Sequence, residues 1–240
     1  MNGSYAALVP FTPMVKKLVI ITTAIWFLIQ VVLEGFLKIP FTAYLALFPG
    51  QVILDFHIWQ LFSYIFLHSM QVFHILFNML MLWFFGAELE LRWGSRYFLF
   101  YYLFSGVGAA IIYCLGVWLY ALTTGAQTPL LVPVVGASGA IFGLMLAHGI
   151  LFSERIVSFM MLFPMKTKYF VALMALIQMA SLVTNSVAGG EVAYLAHLGG
   201  FASGYLALWL KKRWPTGLWK KKVVHRKRNL RLVPNEDESS

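Results

Sequence analysis

The sequence predicts an all-α polytopic membrane protein whose six transmembrane helices pack as one bundle. Composition and the placement of charge carry this prediction. Of the 240 residues, 60% are hydrophobic and only 11% are charged, and the mean hydropathy is +0.78. A water-soluble domain carries about 25% charged residues. This chain therefore has too few charges to cover a surface in water, and lipid is the predicted solvent for much of it.

Six apolar runs are long enough to cross a membrane as helices, which takes about 20 residues. They cover, approximately, residues 18–37, 72–89, 97–122, 133–152, 169–187 and 192–210. The chain is accordingly divided into an N-terminal segment over residues 1–17, a six-span domain over residues 18–210, and a basic tail over residues 211–240.

An even number of spans places both termini on the same side of the membrane. Every Lys and Arg except Lys38 then falls on that side, and ten of the 18 lie between Lys211 and Arg231. Cations are enriched in the cytoplasmic segments of membrane proteins, so both termini are predicted to be cytoplasmic. We expect a multi-pass protein of the bacterial cytoplasmic (inner) membrane.

The net charge of +9 raises nucleic acid as an alternative partner. The cations, however, flank the apolar runs or lie in the tail, and this placement is typical of a membrane protein. The predicted partner is the lipid bilayer, whose anionic lipids the tail contacts, and nucleic acid is not expected.

The segment over residues 38–71 lies between the first and second spans. It is too rich in aromatic residues for a solvated loop, and polar residues interrupt it too often for a span. Pro49 and Gly50 indicate a turn. The segment is therefore predicted to contain short helices in the outer membrane interface.

The sequence offers little that would hold a metal or a cofactor, and we expect neither. Cys114 is the single cysteine and lies in an apolar run, which favours a buried small hydrophobe and excludes a Cys-based metal site. The chain contains no HExxH motif, and its spans lack the paired charges that a transporter would carry.

Four polar side chains lie at a similar predicted depth near the outer ends of three spans. The second, fourth and sixth spans all run from outside to inside. Ser138 and His197 are each about five residues into their spans, which puts both on the order of 8 Å below the outer helix ends. His74 and Asn78 bracket that depth and share one helix face. Because polar groups are costly inside a membrane, all four are functional candidates.

Glycine patterns would allow the serine and the histidine to touch. Gly139 and Gly143 follow the serine at a spacing of four, and Gly200 and Gly204 follow the histidine in the same way. Small residues at this spacing let helix backbones approach closely. Either pattern alone is common in membrane helices and indicates packing. The two patterns together, one following Ser138 and the other following His197, favour catalysis.

A serine beside a histidine suggests nucleophilic catalysis, because histidine is the usual base that activates a serine hydroxyl. None of the nine Asp and Glu residues lies at the required depth near His197, so a dyad is predicted. Glu191 is interpreted as a loop residue. An anionic intermediate needs hydrogen-bond donors, and the first-turn N–H groups at Ser138, with His74 and Asn78, are the candidates.

Several motifs of this sequence occur together in one known family. They are GASGAIFG (residues 136–143), AHLGGFASG (196–204), HSMQVFHILFNM (68–79) and ELRWGS (90–95). The set resembles the rhomboid family of intramembrane serine proteases, and the resemblance covers about residues 45–210. One difference is that five residues separate His68 and His74, where many members have four.

The resemblance implies a role for each candidate residue in a rhomboid-like bundle. Ser138 would be the nucleophile and His197 the general base. His74 and Asn78 would contribute to the oxyanion hole with the Ser138 backbone, and Phe142 would pack on the catalytic histidine. The supporting small residues would be Gly136, Gly139 and Gly200.

By the same resemblance, the expected reaction is hydrolysis of a peptide bond in or near the transmembrane segment of another membrane protein. The expected partners are such transmembrane substrates. The alternative is a catalytically inactive rhomboid-like protein that binds membrane clients. The presence of both dyad residues and of candidate oxyanion donors favours the enzyme.

Overall fold

The computed structural model describes residues 10–159, 163–184 and 193–213. Much of the predicted N-terminal segment, and the tail beyond Arg213, lie outside these ranges. In chain order the α-helices are α1 (Pro13–Ile25), α2 (Thr42–Leu45), α3 (Pro49–Leu54), α4 (Gln60–Ser63), α5 (Val72–Trp93), α6 (Ser95–Thr124), α7 (Ser138–Leu151), α8 (Thr167–Thr184) and α9 (Ala193–Arg213). Helix α1 continues as a π-helix over Trp26–Phe36, and 3-10 turns cover Tyr64–Phe66 and Thr128–Leu131.

Each predicted span overlaps one of the longer helices, and the protein is mostly helical. Within the part of the chain that the structure describes, three helices are long and apolar enough to cross a membrane on their own: Pro13–Phe36, Val72–Trp93 and Ser95–Thr124. Helix α7 and most of α8 are apolar but shorter. The bundle centres on α6, which contacts α5, α7 and α9 and contributes the buried rings of Tyr101 and Tyr113.

The segment between α1 and α5 forms short helices and packs on the bundle. Leu47, Tyr64 and Ile65 are buried. The Tyr64 hydroxyl donates a hydrogen bond of 2.7 Å to the carbonyl of Gly106 in α6. The segment is thereby fixed to the helix at the centre of the bundle.

Glu90, near the C-terminal end of α5, joins three helix ends. Its carboxylate accepts hydrogen bonds from the N–H groups of Met14 (2.9 Å) and Val15 (3.0 Å) at the start of α1. It also accepts hydrogen bonds from the hydroxyls of Thr12 and Ser95, each at 2.5 Å. The first turn of a helix has free N–H groups and the positive end of the dipole, so this buried carboxylate stabilises the start of α1.

A two-stranded antiparallel sheet lies between α7 and α8, so the all-α prediction is wrong for this segment. Its strands are β1 (Ile156–Phe159) and β2 (Phe163–Lys166). Strand β1 is rich in the β-branched and aromatic residues that favour extended structure. Beside the hairpin, Glu154 pairs with Lys166 at 2.7 Å and Lys168 at 2.5 Å. Hydrogen bonds from these lysines lower the pKa of Glu154 to about 2, so the carboxylate is ionised at neutral pH.

Helix α7 begins at Ser138, later than the predicted start of the fourth span at residue 133. The preceding backbone is extended because Val134 pairs with Leu47 in an isolated antiparallel bridge. The two N–H···O hydrogen bonds of the bridge are 3.0 and 2.9 Å long. The prediction that Ser138 lies about five residues into its helix is therefore wrong, since Ser138 is the first residue of α7.

Candidate active site

Ser138 and His197 are brought together where α7 meets α9. The distance from Ser138 Oγ to His197 Nε2 is 2.8 Å, a hydrogen bond. Ser138 lies at the N-terminal end of α7, and His197 lies one turn into α9. The serine is therefore next to N–H groups that have no acceptor within the helix.

Two glycine contacts allow α7 and α9 to approach this closely. A Cβ atom at Gly200 would lie 2.0 Å from the carbonyl oxygen of Gly139, and one at Gly204 would lie 2.8 Å from Gly143 Cα. Atoms cannot approach so closely without moving the backbone. The small-residue pattern thus corresponds to direct contact between helix backbones, as expected from its spacing.

Phe142 packs on the ring of His197. The ring centroids are 4.3 Å apart and the planes differ by 16°, a stacked arrangement. Phe201 contacts Phe142 edge-on, with the ring centroids 5.1 Å apart. Since Phe142 lies one helical turn after Ser138, α7 supplies both the serine and a surface that restricts rotation of the histidine.

Gln178 is a site residue that sequence reasoning missed. Its side-chain Oε1 lies 2.8 Å from His197 Nδ1, so each ring nitrogen of the histidine has a partner. Gln178 belongs to α8 and is only 8% exposed. Sequence reasoning considered only Asp and Glu as a third residue and predicted a dyad, whereas Gln178 is an uncharged amide within an apolar run, where polar groups are functional candidates.

His74 faces the space next to Ser138. Its Nδ1 accepts a hydrogen bond of 3.1 Å from the Ser69 backbone N–H. A neutral imidazole that accepts at Nδ1 carries its proton on Nε2. A Cβ atom at Gly136 would lie 3.2 Å from His74 Nε2 and 3.7 Å from Ser138 Oγ. His74 therefore presents an N–H donor towards the region where an oxyanion would form.

Asn78 lies one turn further along α5 and is buried. Its Nδ2 donates a 2.8 Å hydrogen bond to the carbonyl of His74. In the described part of the chain its Oδ1 has no hydrogen-bond partner. The amide thus donates one of its two N–H groups within its own helix and has the other left to donate. Any contribution of Asn78 to an oxyanion hole is therefore less direct than that of His74.

The chain that leads into Ser138 is held by the loop over residues 38–71. The N–H of Gly136 donates a 3.0 Å hydrogen bond to the carbonyl of Tyr64. Gly136 has φ of +130°, a conformation that is open to glycine and strained for other residues. This glycine permits the sharp change of direction before α7, next to the ring of His74.

His68 orders the loop that precedes α5. Its backbone N–H donates a 2.7 Å hydrogen bond to the side chain of Gln30 in the π-helix, and its carbonyl accepts one from the same amide. Burial, with a contribution from nearby His74, lowers the pKa of His68 to about 3, so the ring is neutral at physiological pH. His68 and Gln30 fix the loop whose Ser69 orients His74.

Among the residues that the structure describes, no three or more His, Cys, Asp or Glu side chains cluster as metal ligands. Cys114 is buried, as its apolar surroundings predict.

Comparison with known proteins assigns the chain to a family. The Rhomboid domain model matches residues 55–214. The chain is 34% identical to RHOMBOID-like protein 1 of Arabidopsis thaliana over 164 residues, which cover 67% of this chain and 36% of the relative. It is 30% identical to Rhomboid protein 1, mitochondrial, of Saccharomyces cerevisiae over 136 residues, which cover 57% of this chain and 37% of the relative.

This chain belongs to the rhomboid family, and it is a multi-pass membrane protein. The matched region is little more than a third of the length of these two relatives. Both relatives are eukaryotic. They therefore lend no support to the expected bacterial inner membrane.

Proposed function

We propose that this chain is an intramembrane serine endopeptidase that hydrolyses a peptide bond in or near the transmembrane segment of membrane-protein substrates. The observation that carries the proposal is the 2.8 Å contact between Ser138 Oγ and His197 Nε2. It occurs within a rhomboid domain, beside a helix N-terminus and a histidine N–H donor. A serine with only a structural role would not need a histidine contact, a helix N-terminus and a second histidine donor in one place.

In the first half of the reaction, Ser138 Oγ attacks the carbonyl carbon of the scissile peptide bond while its proton passes to His197 Nε2. The carbonyl oxygen becomes an oxyanion, which accepts hydrogen bonds from His74 Nε2–H and from N–H groups in the first turn of α7. The C–N bond then breaks, and the proton on His197 goes to the departing amine. The products of this half are a free amine and an acyl ester on Ser138.

In the second half, water attacks the acyl carbon and gives one proton to His197 Nε2. The ester C–O bond breaks, and the proton returns to Ser138 Oγ. The second product is a carboxylic acid, and the enzyme is restored. Removing one oxyanion donor from a site of this kind costs roughly 100- to 1,000-fold in kcat, which indicates how strongly the donors near Ser138 would contribute.

The proposed topology has six membrane-crossing helices, with α7, α8 and α9 joining the three helices that are long and apolar enough by themselves. The cation distribution supports cytoplasmic termini. In this orientation Ser138 lies towards the outer surface, and the loop over residues 38–71 lies in the outer interface. Transmembrane substrates would then be cut near that surface.

The proposal is tested with the purified full-length chain in detergent and a fluorescent single-span peptide that carries Gly and Ala near its outer end. We expect cleavage by the parent and only background cleavage by Ser138→Ala and His197→Ala. The matched controls are Ser153→Ala and His57→Ala, which change the same residue types outside the site and should cleave normally.

Two results would contradict the proposal. Equal cleavage by the parent and by both site variants would show that the dyad is not the catalyst. The second is that the parent does not cleave the peptide and also does not react with an alkyl fluorophosphonate, a probe whose phosphorus would bond to Ser138 Oγ with loss of fluoride. That result would favour the inactive, client-binding alternative.

A further inference from the structure

Both ring nitrogens of His197 have a hydrogen-bond partner. Nε2 contacts the Ser138 hydroxyl at 2.8 Å, and Nδ1 contacts Gln178 Oε1 at 2.8 Å. A neutral imidazole has one donor nitrogen and one acceptor nitrogen. A carbonyl oxygen accepts hydrogen bonds and cannot donate them, so the proton of His197 lies on Nδ1. The lone pair on Nε2 is then directed at the serine.

We infer that Gln178 is a positioning residue for the catalytic base. Its side-chain carbonyl selects the tautomer of His197 that accepts the Ser138 proton. This inference deepens the proposed function and rests on it. It assigns to an uncharged amide on α8 the orienting role that a carboxylate has in a Ser-His-Asp triad.

The position of Gln178 on α8 supports this role. Its neighbours Ile177 and Met179 are 43% and 52% exposed on the bundle surface, whereas Gln178 is 8% exposed. The Gln178 side chain is therefore directed into the bundle. A buried amide without a hydrogen-bond partner is costly in an apolar environment, and among the described residues His197 is such a partner.

An amide also fits the apolar surroundings of the site. A buried carboxylate carries a large desolvation cost unless it is well paired, whereas the Gln178 amide is neutral. It orients the imidazole without adding a second charge when the base becomes protonated. Phe142 restricts the ring plane from one face, so the stacking and the two hydrogen bonds together define the orientation of His197.

The kinetic test compares three Gln178 variants with a matched control on the same fluorescent single-span peptide. Gln178→Leu removes the acceptor, and we expect kcat to fall about tenfold or more with little change in KM, the effect of losing one orienting hydrogen bond. Gln178→Glu restores an acceptor of the same length, and its pairing with the protonated histidine offsets the desolvation cost of the carboxylate, so it should restore most of the kcat. Gln178→Asn is one methylene shorter and should be intermediate. The control, Met179→Leu, alters a lipid-facing neighbour and should match the parent.

A spectroscopic test does not depend on activity. Histidines labelled with nitrogen-15 report by NMR which ring nitrogen carries the proton. We expect His197 to be protonated at Nδ1 in the parent and in Gln178→Glu, and to become a tautomer mixture in Gln178→Leu. The Ser138→Ala variant should retain the Nδ1 proton, because its Gln178 contact is intact.

The outcomes separate this inference from the proposed function. If Gln178→Leu retains both the parental kcat and the Nδ1 proton of His197, Gln178 is not a positioning residue. If Gln178→Leu and Gln178→Glu lose activity equally while both remain folded, the acceptor role is also contradicted. If the parent itself is inactive, the proposed function fails, and the NMR tautomer still decides whether Gln178 orients the histidine.

Discussion

At the scale of single residues, the site contains two histidines held in opposite tautomers. The Ser69 N–H donates to Nδ1 of His74, which leaves the His74 proton on Nε2. Under our inference, the carbonyl of Gln178 accepts from Nδ1 of His197, which leaves the His197 lone pair on Nε2. Under the proposed function, the same side chain would therefore serve as an oxyanion donor in one position and as a base in the other. The group bound to Nδ1 makes the difference.

A first prediction at this scale concerns Gly136. Its φ is +130°, and a Cβ added there would lie only 3.2 Å from His74 Nε2, so Gly136→Ala would displace the donor ring. We expect kcat on the single-span peptide to fall by roughly tenfold to a hundredfold, since an oxyanion donor is moved. Steady-state kinetics with the purified variant measures the effect.

Gly125→Ala is the matched control for this prediction. Gly125 also has a positive φ, of +75°, but a Cβ there would meet nothing within 4 Å. Both substitutions carry a backbone strain of about 1–3 kcal/mol, so a comparable loss of Tm is expected in the two variants. An equal loss of kcat in both would show that strain, and not the contact with His74, is responsible.

At the scale of helices, Glu90 connects the start of α1 to the junction of α5 and α6. We predict that Glu90→Gln lowers the free energy of unfolding by about 2–3 kcal/mol, because hydrogen bonds to a charged acceptor are lost and an amide N–H₂ meets donors. The measurement is the Tm of the purified protein in one detergent. The effect should be on stability, since Glu90 does not contact the Ser138 site.

The control for the Glu90 prediction is Glu154→Gln. Glu154 also accepts hydrogen bonds, from Lys166 and Lys168, but its side chain is 61% exposed. Exposed ion pairs contribute little to stability because water and salt screen them. The Tm of this variant should remain close to that of the parent. A fall in Tm as large as that of Glu90→Gln would contradict the capping role.

The sequence predicted those features whose signals are local. The apolar runs located the long helices, and the spacing of His74 and Asn78 placed both on one helix face. The start of α7 was not predicted, because it depends on pairing between Val134 and Leu47, which are far apart in the chain. Gln178 was missed for a similar reason. Its role depends on how α8 packs beside α9, and helical periodicity does not predict that packing.

At the scale of the whole molecule, the charge distribution predicts the orientation in the membrane. In a Cys114→Ala background, a new cysteine at Gln127 should lie outside and one at Ser153 should lie in the cytoplasm. A membrane-impermeant maleimide added to intact cells should label Gln127→Cys, and should label Ser153→Cys only after lysis. The opposite labelling pattern would reverse the orientation, and equal labelling of both before lysis would contradict a membrane between them.

The contact between Gly200 and Gly139 has a consequence for how this protein can evolve. Any side chain at Gly200 would meet the neighbouring carbonyl oxygen at 2.0 Å, whatever its chemistry. Substitution of Gly200 is therefore opposed by lack of volume, whereas under the proposed function substitution of Ser138 would be opposed by the loss of catalysis. If the proposed function holds, a descendant that no longer needed proteolysis could replace the serine but would still have to keep the glycine. Such descendants would therefore keep the close helix contact after the activity itself had been lost.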